Sequence, residues 1–486
     1  MISSKLLFPE VKDNSHFIDF LVSSIESDSR SVKEGSVYFA LDGTNENGSI
    51  YIDEAIRRGA KLIFAENIEE KEGIIQVAQL REYLGVVASR FYDNPTLNLY
   101  TFCVTGTNGK TSCVESLSKL LNFYGEKCSY ISTIGVSYDG TNLIKKSDLT
   151  TPDPITLQSL FSSSLKAGST HVAFEASSHG LSQKRISGTK IGTAIFTSFS
   201  QDHLDYHQNL ESYKSAKLSL FRDYSPSTSI IQVDTDTGRE IYTELKILGK
   251  SVFSVSSKET ADFFFSYKRK NLYLEITLKS TFGSSTFNLS TVSSVLASNI
   301  VCALAALLVK GFNLERLVKN IQNLTLPEGR MELIQLADDN FCCIDYAHTP
   351  EALEKTLLEL KSSFAGEIWC IFGCGGDRDK IKRPLMGEIA ERLCEKVILS
   401  NDNPRSEKEK DIFNEILEGT HNPSKIKVIN DRESAILECL SKISKSDIPI
   451  ILLVAGKGHE DYQETGITIK KLSDKEIVNN FIRDQK

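Results

Sequence analysis

The chain has 486 residues, room for about three domains, and is 40% hydrophobic and 25% charged, as expected of a globular protein. Its formal net charge of −8 excludes a broad nucleic-acid footprint and leaves anionic ligands to local clusters of Arg and Lys. The ten cysteines are scattered, several in apolar runs (Cys103, Cys302, Cys342, Cys343, Cys370), which excludes the disulfide framework of a small secreted domain. Cys370 and Cys374 lack zinc-type partners and read as small buried hydrophobes. The N-terminus shows no basic segment followed by an apolar core, and the longest apolar stretches are too short to span a bilayer. The expectation is a cytoplasmic enzyme, monomeric, with no membrane span.

In chain order, residues 36–41 read as a strand ending at Asp42-Gly43, 52–59 as a helix and 61–65 as a second strand, a small α/β unit. The breaker cluster Asp93-Asn94-Pro95-Thr96 sets a first boundary, giving a domain over 1–95. Residues 101–104 form an apolar β-type run. A glycine turn follows (Gly106, Thr107, Asn108, Gly109), then Lys110, Thr111 and Ser112, then a helical pattern over 113–123. A strand, a tight turn and a helix N-terminus can cradle a phosphate: backbone N–H groups face the anion and the helix dipole favours it. Lys110 would reach the outer phosphates, and the Thr111 or Ser112 hydroxyl would hold Mg²⁺. The full Walker pattern also has a glycine six residues before the lysine, where this chain has Val104. A plain βα turn is the competing reading, and the flanking strand and helix favour the cradle.

Strand-like runs recur at 171–175, 193–199 and 229–233, alternating with helical or loop stretches, which predicts a largely parallel sheet with helices on its faces. Residues 263–267, 272–278 and 285–289 suggest an antiparallel patch, and 292–308 a long apolar helix. Pro327-Glu328-Gly329-Arg330 marks the second boundary, so the domains run 96–326 and 327–486. Beyond it, 342–345, 368–372, 396–400 and 448–454 read as buried strands with helices between them, and Pro350 opens a helix over 351–360. The fold class is α/β in three domains: a small N-terminal α/β domain, a central P-loop-type mostly parallel sheet, and a C-terminal Rossmann-like α/β domain.

Several polar runs sit at strand ends, where open α/β sheets bind ligands. Glu175 closes an apolar strand and is either a Mg²⁺ ligand or a solvated carboxylate. In Ser200–His207, His203 and Asp205 could reach one metal, or form an ordinary polar loop. Lys217, in the helical run 213–221, reads by itself as a solvated surface charge. Three further loops follow apolar strands: Gly373-Cys374-Gly375-Gly376-Asp377-Arg378-Asp379-Lys380, Asp402-Asn403-Pro404-Arg405 and Gly456-Lys457-Gly458-His459-Glu460. Together they put ionic groups on one sheet edge, and a guanidinium there can fork onto a carboxylate.

These residues, with Asp345-Tyr346-Ala347-His348-Thr349-Pro350, resemble the Mur ligase family of ATP-dependent amino-acid-adding enzymes, over nearly the whole chain. The resemblance implies one domain for the UDP end of a substrate, one for ATP and one for the incoming amino acid. It implies ATP-dependent addition of meso-2,6-diaminopimelate to UDP-N-acetylmuramoyl-L-alanyl-D-glutamate, in cytoplasmic peptidoglycan precursor synthesis, through an acyl phosphate. Gly106 to Ser112 would bind ATP phosphates, Asn299 would lie near the adenine, and Arg330 and Asp345 near the nucleotide. Thr111, Glu175 and His203 would serve Mg²⁺, and Lys217 matches the lysine that the family carries as a carbamate derived from CO₂, with Lys110, Glu175, His203 and Lys217 catalytic. Ser29 and the Thr44-Asn45-Glu46 loop would face the uridine nucleotide. Thr150, Thr151, Ser177, Gln183 and Arg185 would hold the muramyl dipeptide. Arg378, Asp402, Asn403, Pro404, Arg405, Gly456 and Glu460 would hold the amino acid. Ser112 replaces a second threonine and keeps the hydroxyl; Leu149 stands where relatives often have a polar residue. A folylpolyglutamate or cyanophycin synthetase, or an inactive nucleotide-binding scaffold, are the competing readings. The Asp-Asn-Pro-Arg loop and the Ser-Ser-His-Gly-Leu run oppose the first. The intact set Lys110, Glu175, His203 and Lys217 opposes the second.

Overall fold

The computed structural model describes residues 1–485 except 44–46, 141–142, 146–148, 203, 271, 322, 326–327 and 337–338, and leaves the side chains of 143, 145, 204 and 205 undescribed. The expected boundary at 326/327 lies outside the described residues. The chain forms two compact units. The first comprises Met1–Phe264, Lys279–Gly283 and Ser298–Asn320; the second comprises Phe265–Leu278, Ser284–Ala297 and Ile321–Lys486.

The first unit contains a four-stranded parallel sheet, Ser24–Glu26, Ser36–Ala40, Ala60–Ala65 and Ile74–Gln76 in spatial order. It also contains a larger, mostly parallel sheet. There the strand Tyr100–Thr105 lies between His171–Glu175 and Thr193–Phe196, all three parallel. Cys128–Ser132 continues the sheet on one side, Thr228–Gln232 and Val252–Ser256 on the other. The chain leaves Tyr100–Thr105 toward one side and later crosses to the other, so this strand sits at a topological switch point. Loops leaving its C-terminal end and those of its neighbours share one edge. Phe102, Cys103 and Val104 are wholly buried. Burial of both faces makes a parallel strand a continuous apolar run rather than an alternating one. Phe161, Phe174, Phe196 and Phe221 fill the core on one face, each contributing roughly 1.5–3 kcal/mol of apolar transfer energy.

The helix Lys110–Tyr124 starts at Gly109 and stops at Gly125, whose φ of +99° only glycine adopts without strain. There Gly125 N–H donates to Asn122 O and Glu126 N–H to Leu121 O, a Schellman closure. The strand expected over 193–199 ends at Phe196. Residues 197–200 leave the sheet to bond the turn after Tyr100–Thr105. Thr107 N–H donates to Ser198 O, and Thr197 Oγ1 donates to Asn108 O at 2.6 Å.

The second unit is built on a six-stranded sheet. Glu332–Gln335 is an antiparallel edge. Phe341–Asp345, Ile450–Ala455, Glu367–Phe372, Lys396–Leu399 and Ile426–Val428 follow in spatial order, all parallel. Alternate residues of Glu367–Phe372 serve opposite cores. Ile368, Cys370 and Phe372 pack with the helices Pro350–Ser363, Lys382–Leu393 and Glu409–Leu417. Trp369 and Ile371 pack with Arg432–Ile443 and Asp474–Asp484. All ten cysteines are free and buried. Among the described residues no helix is long and apolar enough to cross a membrane.

One buried ion pair ties the last helix to this unit. Arg432 and Asp474 are both fully buried. Arg432 Nε and Nη2 donate to the two Asp474 oxygens at 2.8 Å each, and Nη2 also donates to Ala455 O at 2.9 Å. Removing one partner of such a pair leaves an uncompensated buried charge. Asp474→Ala should lower unfolding free energy by about 3–5 kcal/mol, read by urea denaturation; a loss under about 1 kcal/mol would show that the guanidinium finds other acceptors.

Candidate active site

The turn after Tyr100–Thr105 is shaped by close approaches. A Cβ on Gly109 (φ +90°) would lie 2.3 Å from Asn299 Oδ1, and one on Gly106 would lie 2.1 Å from Thr197 Oγ1. Asn299 is therefore seated directly over the turn. It is 3% exposed, and its Nδ2 has no hydrogen-bond partner among the described residues. Lys110 is the first residue of the following helix, half-buried, and its Nζ donates to Gly106 O and Thr107 O, both at 3.0 Å.

Glu175, at the end of its strand, is 1% exposed. Its Oε1 accepts from Thr111 Oγ1 at 2.8 Å and from Thr133 N–H at 2.9 Å; its Oε2 accepts from Thr133 Oγ1 at 3.2 Å. Thr133 Oγ1 also meets Thr150 Oγ1 at 3.1 Å. A carboxylate and three hydroxyls thus converge at the N-terminus of Lys110–Tyr124, a hard oxygen set suited to a divalent cation. Thr151 Oγ1 donates to Glu175 O and accepts from Ser177 N–H, and Ser177 Oγ caps the short helix that follows. Arg185 donates to Thr151 O at 2.7 Å and to Gln183 Oε1 through Nε and Nη2. Gln183 and Arg185 also line a cavity of ≈ 120 Å³ with Ser27, Arg81, Leu149 and Asp153. Ser29 is buried, its hydroxyl donating to Glu54 Oε2. Thr44, Asn45, Glu46 and His203 lie outside the described residues, as does the Asp205 side chain.

Lys217 is not the solvated surface charge that its helical position suggests: it is 1% exposed. It lies on the inward face of Leu210–Arg222, its Nζ donating to Gly106 O at 2.8 Å and standing 4.4 Å from the Tyr213 ring centre. Burial holds its ammonium well below the usual lysine range, the Lys110 charge pushes it further down, and Asp202 partly opposes both. Tyr213 OH donates to Thr107 Oγ1, tying the same helix to the turn.

In the second unit, the three polar loops follow the parallel strands Glu367–Phe372, Lys396–Leu399 and Ile450–Ala455 and meet at one edge. A Cβ on Gly376 would lie 1.9 Å from Pro404 O, and one on Gly456 (φ +109°) would lie 2.6 Å from Asp402 Oδ2. Arg405 (φ +51°) donates from Nη1 to Gly376 O at 2.8 Å and from Nε to Glu464 Oε2 at 3.1 Å. Asn403 Nδ2 donates to Glu460 Oε2 at 3.0 Å. Arg378 is exposed on its loop. Asp345 is buried, which pushes its carboxyl up, while Met331 N–H and Ala347 N–H donate to it. Arg330 stacks 4.5 Å over the Tyr346 ring.

Sequence reasoning missed Thr133, Tyr213, Lys457 and Glu464. Lys457 lay inside a motif already singled out; the other three carry no local signal, because their partners are distant in sequence.

Three family models cover the chain: the Mur ligase family catalytic domain at residues 21–92, the Mur ligase middle domain at 104–307 and the Mur ligase glutamate ligase domain at 329–458. The chain is 35% identical to a UDP-N-acetylmuramoyl-L-alanyl-D-glutamate–2,6-diaminopimelate ligase of Haemophilus influenzae, over 98% of each chain. It is 36% identical to an enzyme of the same name from Vibrio vulnificus, over 97% of this chain and 96% of that one. A solved structure of a ligase of that name superposes with a TM-score of 0.75 at 30% identity, covering 100% of this chain and 99% of the other. With this identity over its whole length, and with a phosphate-type turn and a three-loop edge at the places the family models cover, the chain belongs to the Mur ligase family.

Proposed function

We propose that the chain catalyses ATP-dependent addition of meso-2,6-diaminopimelate to UDP-N-acetylmuramoyl-L-alanyl-D-glutamate, with domains at 1–95, 96–326 and 327–486 for the UDP substrate, ATP and the amino acid. The observation that carries this reading is Arg405, a half-buried guanidinium pinned by Gly376 O and Glu464 at the meeting point of three strand-end loops. A residue so held suits a second carboxylate on an amino-acid side chain.

A carboxylate accepts an amine poorly because it is anionic and lacks a leaving group. Phosphorylation of the substrate's D-Glu γ-carboxylate by ATP gives an acyl phosphate. The diaminopimelate amine attacks its carbonyl carbon, and inorganic phosphate departs with the C–O electron pair. The residues present fit ATP and Mg²⁺: a cradle that a Cβ on Gly109 would fill, the buried unpartnered Asn299 Nδ2, and the hydroxyl–carboxylate set around Glu175. Gly106 to Ser112 would hold the phosphates, Asn299, Arg330 and Asp345 the rest of the nucleotide, and Thr111, Glu175, His203 and carbamylated Lys217 the metal. Mg²⁺ when bound supplies charge neutralisation at phosphoryl oxygens. Ser29 and Thr44 to Glu46 would face the uridine nucleotide, and Thr150, Thr151, Ser177, Gln183 and Arg185 the dipeptide. Arg378, Asp402 to Arg405, Gly456 and Glu460 would bind the amino acid.

Lys110 stabilises charge that develops as the phosphoryl group transfers. Lys110→Ala should therefore lower kcat by about two or more orders of magnitude with thermal melting unchanged. Near-normal phosphate release from the folded variant would remove the cradle from the mechanism.

Presented with a panel of amino acids, the UDP-dipeptide and ATP, the enzyme should yield a product of the mass expected for diaminopimelate and little for L-lysine, which lacks the distal carboxylate. Arg405→Ala should raise KM for diaminopimelate at least tenfold, on the scale of about 1.5–3 kcal/mol for a hydrogen bond to a charged group, and erode that preference. Equal use of L-lysine by the wild-type enzyme would refute the role given to Arg405.

The neutral amine of Lys217, favoured by burial and by Lys110, is the form that reacts with CO₂, and the carbamate replaces a cation by two oxygen ligands of the kind Mg²⁺ prefers. Lys217→Ala should be nearly inactive and partly rescued by a short carboxylic acid. Bicarbonate labelled with the heavy carbon isotope should give a carbamate resonance in the wild type and none in the variant. An unlabelled Lys217 in active, nucleotide-bound, metal-loaded enzyme would rule this role out.

A further inference from the structure

The loop 456–460 contains a lysine that none of the roles above uses. Gly456 and Gly458 both have positive φ (+109° and +54°), and the reversal they make turns Lys457 inward. Side chains are barred at both glycines. A Cβ on Gly456 would meet Asp402 Oδ2 at 2.6 Å, and one on Gly458 would meet Gly329 O at 2.7 Å and Tyr346 Cβ at 2.8 Å. Lys457 is fully buried. Its Nζ donates to Glu460 Oε2 at 3.1 Å and to Asn403 Oδ1 at 3.2 Å, and lies 5.2 Å from the Tyr462 ring centre.

This ammonium contributes to how two other side chains point. Asn403 Oδ1 receives Lys457 Nζ and also Glu464 N–H at 3.0 Å. Both are donors only, so the amide oxygen must face them, and a flipped amide would set N–H against N–H. Asn403 Nδ2 is thereby committed to Glu460 Oε2. That oxygen now accepts from both Lys457 and Asn403, whereas among the described residues Glu460 Oε1 meets the long 3.5 Å contact from Tyr346 OH. The carboxylate is locked by one oxygen and offers the other.

We propose that Lys457 is a positioning residue of the amino-acid site: it fixes Glu460 so that Oε1 faces an incoming ammonium, and it fixes the Asn403 amide in one orientation. The proposal rests on the reading that Glu460 and Asn403 bind the amino acid. In this role Lys457 acts through those two side chains, to which its Nζ donates. A buried charge is retained only where its partners satisfy it, and here both partners belong to the loops assigned to the ligand.

The test is steady-state kinetics of full-length Lys457→Met with each substrate varied in turn, alongside Glu460→Gln and the double variant. Lys457→Met should raise KM for diaminopimelate about tenfold or more, as expected for loss of charge-assisted hydrogen bonds, while KM for ATP and for the UDP-dipeptide stays within about twofold. The double variant should be no worse than the poorer single variant, since residues acting through one network are non-additive. A merely structural lysine would lower the active fraction and leave all three KM values alone. If Lys457→Met does not fold, Lys457→Gln, which keeps a donor for Asn403 but no charge for Glu460, carries the same comparison. An unchanged KM for diaminopimelate in a folded variant overturns the proposal by itself. Absence of diaminopimelate-dependent phosphate release in the wild type overturns the functional reading and this proposal with it.

Discussion

Two ammonium groups share one carbonyl oxygen: Lys110 Nζ and Lys217 Nζ both donate to Gly106 O, at 3.0 and 2.8 Å. Two unit charges about 5 Å apart at an effective dielectric of about 20 repel by roughly 3 kcal/mol, and Lys217 has no solvent to screen it. Asp202 offsets part of this repulsion, and loss of the Lys217 proton, which burial and the Lys110 charge favour, relieves it further. A neutral Lys217 would be the nucleophile toward CO₂ that the proposed carbamate requires, and a polyphosphate in the proposed cradle would offset the Lys110 charge. The turn, the helix Leu210–Arg222 and the strand Tyr100–Thr105 are all held in the positions that make this conflict. Gly106 cannot carry a Cβ, and Tyr213 OH fastens the helix to Thr107.

Much of this was legible in the sequence because parallel strands buried on both faces are written as unbroken apolar runs. Tyr100–Thr105, His171–Glu175, Glu367–Phe372 and Ile450–Ala455 all announce themselves in that way, and the polar loops beyond them follow directly. Cys128–Ser132 did not, because Ser129 and Ser132 interrupt the run. Their hydroxyls bond to groups that no apolar pattern reveals, Ser129 to Ser169 at 2.6 Å and Ser132 to Gly135 O. Thr133, next in the chain, is invisible for the same reason, although it donates twice to Glu175. The shortened strand at Thr193–Phe196 shows the opposite error: an apolar pattern continues to Phe199, but the backbone there is claimed by the phosphate-type turn.

Lys217 marks the limit of periodicity. The pattern over 213–221 gives the helix correctly, yet a lysine among Tyr213, Leu218 and Phe221 is assigned to solvent by every local rule. What overrides the rule is a carbonyl more than a hundred residues away in sequence, at Gly106. Resemblance to a family pointed away from a solvated charge there, because it encodes tertiary partners that composition and spacing do not.

The three-loop edge, as the proposed amino-acid site, poses a related problem of specificity. Arg405 already pairs with a carboxylate of its own chain, Glu464, which the two-stranded ribbon Tyr462–Thr465 and Thr468–Lys471 brings to it. The ribbon also holds its backbone: Arg405 N–H donates to Glu464 O and Gly466 N–H to Arg405 O. A guanidinium has five N–H donors. Glu464 takes the one on Nε, and Gly376 O takes one on Nη1. The donors left lie on the Nη1–Nη2 end, so a carboxylate bound there as proposed would approach end-on without displacing Glu464. The internal pair cancels most of the long-range field of the guanidinium, which weakens its hold on carboxylates that arrive in other orientations. In the proposed site, discrimination would then rest on reach and direction more than on net charge, and an amino acid would have to place its second carboxylate at that end to benefit.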